Sequence, residues 1–222
     1  MLFLYWIWIG LTTLLWINPE PKPVFKNGEA ALKEFIRQSI VYPDFSKRNC
    51  IQGTITVSFK LDHKGNIFAS KVQKGFGIDL DDEALRVTKL TSGKWIVPAG
   101  YDTTTAVILP INFTLQNYNC ESRSREEINQ SINAYRSEQN LNDAIVNFYQ
   151  NKEKGNYKPE EEQTINQLKA ELGYDDEFIA QKLKQAQTKL KQGDKESACK
   201  DLTFIHNLGS DKADKLIEQN CH

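Results

Sequence analysis

The run Gly53-Thr54-Ile55-Thr56-Val57-Ser58-Phe59-Lys60-Leu61 alternates apolar and polar side chains without a break. A period of two is the signature of a half-buried strand. Ile55, Val57, Phe59 and Leu61 would face a core, and Thr54, Thr56, Ser58 and Lys60 would face water. A sheet that is wet on one side is typically antiparallel, and its dry side needs helices to cover it. Asp62-His63-Lys64-Gly65-Asn66 follows with turn chemistry. A second strand is expected over Ile67 to Val72. These two residues have opposite parity, so a bulge or a two-sided strand is expected there.

The flanking segments supply the cover. Asn27 to Ile40 places Ala31, Leu32, Phe35, Ile36 and Ile40 on one stripe at helical spacing, with Glu29 in the first turn. Tyr42-Pro43 ends that helix. A second helix is expected over Asp81 to Leu90, packing Ala84, Leu85, Val87 and Thr88 on the sheet. Asp79, Asp81, Asp82 and Glu83 crowd its start, and capping with dipole stabilisation accounts for them better than a metal site does. After Trp95 and Pro98, a last strand is expected from Thr103 to Leu115. Val107, Leu109, Ile111, Phe113 and Leu115 share one face, with Pro110 opposite. A proline lacks the N–H of a ladder donor, so this strand should lie at an edge. Two strands as a hairpin, a crossover helix and a returning strand give sheet order 2-1-3 with a right-handed crossover.

Several function classes are excluded or weakened. A formal net charge of −1 is not that of a general nucleic-acid binder. Gly75-Phe76-Gly77 lacks the third glycine of a nucleotide loop and reads as a turn. Cys50, Cys120, Cys199 and Cys221 fit no zinc spacing; they could form disulfides in any of three pairings or remain buried thiols. His63, His206 and His222 are isolated. No nucleophile–base pair, cofactor motif or metal cluster stands out, so the chain is not read as an enzyme and no cofactor is expected.

Tyr42-Pro43, Gly53 to Phe59, Asp62-x-x-Gly65-x-Ile67, Val72-x-x-Gly75, Leu80-Asp81-x-Glu83-Ala84-Leu85-Arg86-Val87, Lys94-Trp95-x-x-Pro98-Ala99-Gly100 and Leu109-Pro110-Ile111-Asn112-Phe113 together resemble the TonB C-terminal domain. The resemblance spans about Phe25 to Gln116. It implies an α+β domain of order αββαβ with a three-stranded antiparallel or mixed sheet, placed in the periplasm. It also implies a partner, a short peptide of an outer-membrane TonB-dependent receptor that adds as a strand beside the last strand. On this chain the edge would run through Thr103, Thr105, Val107, Leu109, Ile111 and Phe113.

Met1 to Ile17 is almost wholly apolar, with Trp6, Trp8 and Trp16, and is near the shortest length that spans a bilayer. It reads as an uncleaved inner-membrane anchor or, alternatively, as a cleaved signal that would release the chain. It lacks the Ser-x-x-x-His pair by which such transducers engage the ExbB–ExbD motor, which weighs against that partner. Residues 18–24 form a Pro-rich linker whose reach is about 20–25 Å, far shorter than the family's spacer.

The TonB-like domain is assigned to residues 25–117, and 118–140 to a linker or weak helix. Residues 141–222 read as an all-α region. Helices are expected over Asp143–Gln150, Glu160–Leu172, Asp175–Gln192, Lys195–Leu208 and Asp211–Cys221. The run from Leu183 to Cys221 resembles a tetratricopeptide-like (TPR) repeat, whose default role is protein contact. Cys50 precedes the first strand and Cys120 follows the last, and these strands are expected to be neighbours, so Cys50–Cys120 is the expected bridge. Cys199–Cys221 would join the last helix pair. Two functions follow. One is a periplasmic TonB-like module that binds a receptor peptide, with a possible role in TonB-dependent transport. The other is a membrane-tethered scaffold acting through its C-terminal helices.

Overall fold

A computed structural model describes residues 22–116 and 118–221. The expected anchor, residues 1–17, lies outside the described residues, as does most of the linker. No helix among the described residues is long and apolar enough to cross a membrane.

The three long strands are β2 (Gly53–Leu61), β3 (Ile67–Lys74) and β5 (Val107–Phe113). They form an antiparallel sheet of order β3-β2-β5, as the topology argument requires. The bulge expected in the second strand is present: the β2–β3 register shifts twice, between Thr56 and Val57 and between Lys60 and Leu61. The β2–β5 register runs unbroken from Gly53↔Phe113 to Phe59↔Val107. A small ladder, β1 (Val24–Phe25) with β4 (Trp95–Ile96), was not foreseen, because two-residue strands carry no period.

Helices α1 (Gly28–Ser39) and α3 (Asp79–Lys89) cover the dry face. Ile55, Val57, Phe59, Leu61, Leu80, Ala84, Val87, Ile111 and Phe113 form the core beneath them. Tyr42-Pro43 follows the end of α1, and Pro43 also begins a short helix α2 (Asp44–Arg48), which the sequence reading missed. The last strand is shorter than expected. Residues 103–106 turn instead of extending: Thr105 N–H donates to the Asp102 carbonyl at 3.0 Å. The Asp102 carboxylate takes the Thr104 N–H and hydroxyl at 2.8 and 2.7 Å. An Asx turn satisfies these groups locally and removes them from any ladder.

The C-terminal region is helical, as expected, with one correction. Residues 125–140 are no linker; they are the first half of α4, a single helix from Arg125 to Glu153. Ser124 starts it through a capping box, its hydroxyl accepting from Glu127 N–H while the Glu127 carboxylate accepts from Ser124 N–H. Ile128, Ile132 and Tyr135 then pack on the sheet domain's core. Four further helices follow: α5 (Glu162–Glu171), α6 (Asp176–Lys191), α7 (Lys195–Asn207) and α8 (Asp214–Asn220). They share a second core around Ile145, Phe148, Ile179, Leu202, Ile205 and Leu208. Asp194 stands between α6 and α7 and caps α7 by accepting from Ser197 N–H.

Both expected disulfides are formed. Cys50–Cys120 spans Cα atoms 5.5 Å apart and Cys199–Cys221 spans 5.6 Å.

Candidate functional site

The sheet has two outer strands, and their sequences differ in kind. β5 lies at one end, and among the described residues no strand pairs with its outer side. Leu109, Ile111 and Phe113 are buried beneath the helices and Val107 is half-buried. These four of the expected edge residues can therefore meet a partner chiefly through the main chain. Thr103 and Thr105 precede the strand, in the turn held by Asp102. The side chains that β5 turns outward are Ile108, Pro110 and Asn112, opposite Ser58, Thr56 and Thr54. The sequence reading named the inward set; the same period of two already marks the outward set. Ile108 is 50 % exposed, and none of the three carries a charge.

At the other end β3 presents Lys71 and Lys74, both exposed, and carries the two register shifts against β2. Lysines and bulges are the devices that keep an edge from accepting another strand. β3 is guarded by both, while β5 has a regular register and an uncharged outward row.

A groove of about 470 Å³ adjoins the start of β5. Its lining includes Lys22, Pro23, Tyr101, Asp102, Thr105 and Ile108. Tyr101 is buried and its hydroxyl donates to the Thr105 carbonyl at 2.9 Å, which holds the rim in place.

On its helical side the domain meets the C-terminal helices around a cavity of about 620 Å³ whose lining includes Asp79, Glu83, Arg86, Lys182 and Asp194. The acids that start α3 do not cap it, since its N-cap is Ile78 with no side-chain bond. Asp79, Asp81 and Glu83 each have a task of their own in the tertiary structure. Asp81 accepts the Phe76 and Gly77 N–H groups at 3.0 and 2.9 Å, and a Cβ at Gly75 would collide with its carboxylate. Asp79 takes the Ser46 hydroxyl and N–H; burial pushes its carboxyl up, opposed by those bonds and by Lys182. Glu83 accepts Val41 N–H at 2.7 Å and holds Arg86 in a two-pronged pair at 2.7 and 2.8 Å. Arg86 also donates to Gln192 at 2.8 Å and to Asp194 at 3.2 Å, both beyond the sheet domain. Asp44 of α2 binds Lys182 of α6 at 2.9 Å, and Arg48 binds Glu138 of α4 at 2.8 Å. The C-terminal helices thus lock onto the helical layer of the domain.

His206 is not isolated, contrary to the sequence reading: its ring nitrogens lie 2.6 Å from Glu153 and 2.7 Å from Asp214. His63 sits exposed in the hairpin turn.

Residues 38–115 match the family model of the Gram-negative bacterial TonB protein C-terminal. This segment is a TonB C-terminal domain. The match runs from the end of α1 to just past β5, so the sheet, α3 and the β5 edge all belong to it. Helices α4 to α8 fall outside the matched span. No curated protein and no solved structure matches the chain.

Proposed function

We propose that the β5 edge of this TonB C-terminal domain binds an extended peptide of an outer-membrane receptor by strand addition, in the periplasm, while residues 1–17 tether the chain to the inner membrane. The observation that carries this reading is the contrast between the edges: β3 bears Lys71, Lys74 and two register shifts, and β5 bears none of these. An added strand would satisfy the outer main-chain groups of β5 and place alternate side chains over Ile108, Pro110 and Asn112. The Pro-rich linker, with its reach of about 20–25 Å, suits capture of a peptide that extends to the domain more than transmission of work across the periplasm.

A scaffold role for the helices alone would be favoured if they packed over β5. They bind the helical layer instead, through Arg86, Asp44 and Arg48.

The test is titration of the full-length protein with receptor-derived peptides, followed by amide hydrogen exchange. Binding should slow exchange over residues 107–113. Ile108→Lys should weaken it by about tenfold or more, equal to about 1.4 kcal/mol, whereas Lys71→Gln on the far edge should leave it unchanged. Absence of binding, or slowed exchange over residues 67–74 instead, would refute the proposal.

A further inference from the structure

Asn18-Pro19-Glu20-Pro21-Lys22-Pro23 carries a proline at every second position. In an extended chain successive main-chain N–H groups point to opposite sides. Pro19, Pro21 and Pro23 leave one side of this segment without a donor, while Asn18, Glu20 and Lys22 keep all its donors on the other. Such a segment can pair as a strand along one side only.

The structure brings the end of this segment to β5. Lys22 and Pro23 line the groove of about 470 Å³ that Ala106, Val107 and Ile108 also line. The residues before Lys22 therefore set out from the first residues of β5, whose outer side no strand pairs with among the described residues. Pro110 stands opposite Thr56 of β2. A proline is accommodated where its missing N–H would face away from the neighbouring strand. By that parity the main-chain groups of Ile108, Pro110 and Asn112 face the free side. Ile108 to Asn112 is four residue steps, about 13 Å of strand. Asn18 to Lys22 is four steps as well.

We propose that residues 18–22 lie antiparallel along the free edge of β5 as a built-in cap strand, which a receptor peptide must displace. The N–H groups of Asn18, Glu20 and Lys22 then meet the carbonyls of Asn112, Pro110 and Ile108. The new outer side carries prolines, and prolines are a device that stops an edge from recruiting further strands. β5 has neither a charge nor a bulge of its own to do this. The linker is joined to the domain, so it competes from a high local concentration. It lowers the apparent affinity for a peptide by the fraction of time that it occupies the edge. The proposal rests on the reading of β5 as a strand-accepting edge and adds its regulation by the chain's own linker.

The experiment measures amide hydrogen exchange at Ile108 and Asn112 in the full-length protein without peptide, with the amides of Ile55 to Phe59 in β2 as the check that the fold is intact. Glu20→Pro/Lys22→Pro removes two of the three donors and keeps the segment extended. Glu20→Gln/Lys22→Gln keeps the donors and removes the charges. Exchange at Ile108 and Asn112 should be several-fold faster in the proline variant than in the native protein, and unchanged in the glutamine variant. Receptor-derived peptides should bind the proline variant several-fold more tightly than the native protein. Equal exchange in the native protein and the proline variant, whether fast or slow, would overturn the cap. If peptides then still slow exchange over residues 107–113, strand addition at β5 stands without it. Faster exchange in the proline variant with no peptide binding to either protein would support the cap and refute the receptor peptide as its competitor.

Discussion

Arg86 is 8 % exposed and Glu83 5 %, yet between them they bind the Ser39 carbonyl, the Val41 N–H, Gln192 and Asp194. Burial would lower the Arg86 pKa, but the bonds and charges of Glu83 and Asp194 raise it on balance. Arg86→Met should therefore cost about 3–5 kcal/mol, because it strands a buried carboxylate. Arg86→Met/Glu83→Met should cost less than the single change. Urea unfolding of the three proteins checks this, and a double variant as unstable as the single would refute it. His206 makes a second residue-level prediction. Burial pulls its pKa down, but the hydrogen bonds and charges of Asp214 and Glu153 outweigh that, and the net shift is upward. A histidine raised in the folded state contributes stability in full below its unfolded pKa of about 6.5 and loses it as pH rises through the folded value. The melting temperature of the native protein should thus fall between about pH 6 and pH 9 more steeply than that of His206→Gln. Parallel pH profiles would show that the His206 bridge contributes nothing. The acids at the start of α3 show how far single residues are legible. Their dipole-compatible position could be read from sequence, whereas their partners Ser46, Phe76, Gly77, Val41 and Arg86 could not.

At the scale of elements, strong periodicity is legible in the sequence and weak periodicity is not. α1, β2 and α3 bury one face each, and their apolar spacing marks them directly. The first half of α4 buries no residue fully and presents only Ile128, Ile132 and Tyr135 to the core, so its stripe is thin among polar residues. Its start was nonetheless written in the sequence, as Ser124-x-x-Glu127. Ser124→Ala should destabilise the protein by about 1 kcal/mol and loosen the first turn of α4 in hydrogen exchange. The start of β5 departs from the sequence expectation for the opposite reason. Thr103 to Thr105 have strand propensity, but Asp102 captures their polar groups in a turn. The edge position of β5 was anticipated from Pro110. Its contrast with β3 needed the pairing register, which shows Lys71 and Lys74 at the other end of the sheet.

For the whole molecule, the two disulfides close loops of very different size, with sequence separations of 70 and 22. On the chain-entropy account these contribute about 4 and about 3 kcal/mol respectively. Cys50→Ser/Cys120→Ser should therefore lower stability more than Cys199→Ser/Cys221→Ser does, as thermal unfolding would show. The reverse order would mean that packing, not loop closure, dominates at these bridges. The two cores are joined by polar contacts as well as by α4: Arg86 to Asp194, Lys182 to Asp44, and Arg48 to Glu138. The helical half therefore shields the charged layer of the sheet domain, and none of these three ion pairs involves a residue of β5.

The sequence by itself determined the sheet, its order, the two covering helices, the TonB C-terminal character and the disulfide pairing. These depend on period, turn chemistry and chain connectivity, all of which act over neighbouring residues or follow from the order of elements. Only the tertiary structure decided which acids meet which partners, where α4 lies, and that the C-terminal helices bind the helical layer through Arg86, Asp44 and Arg48. Those outcomes depend on desolvated charges finding partners far along the chain, as Arg86 finds Asp194, and no local pattern encodes such a distance.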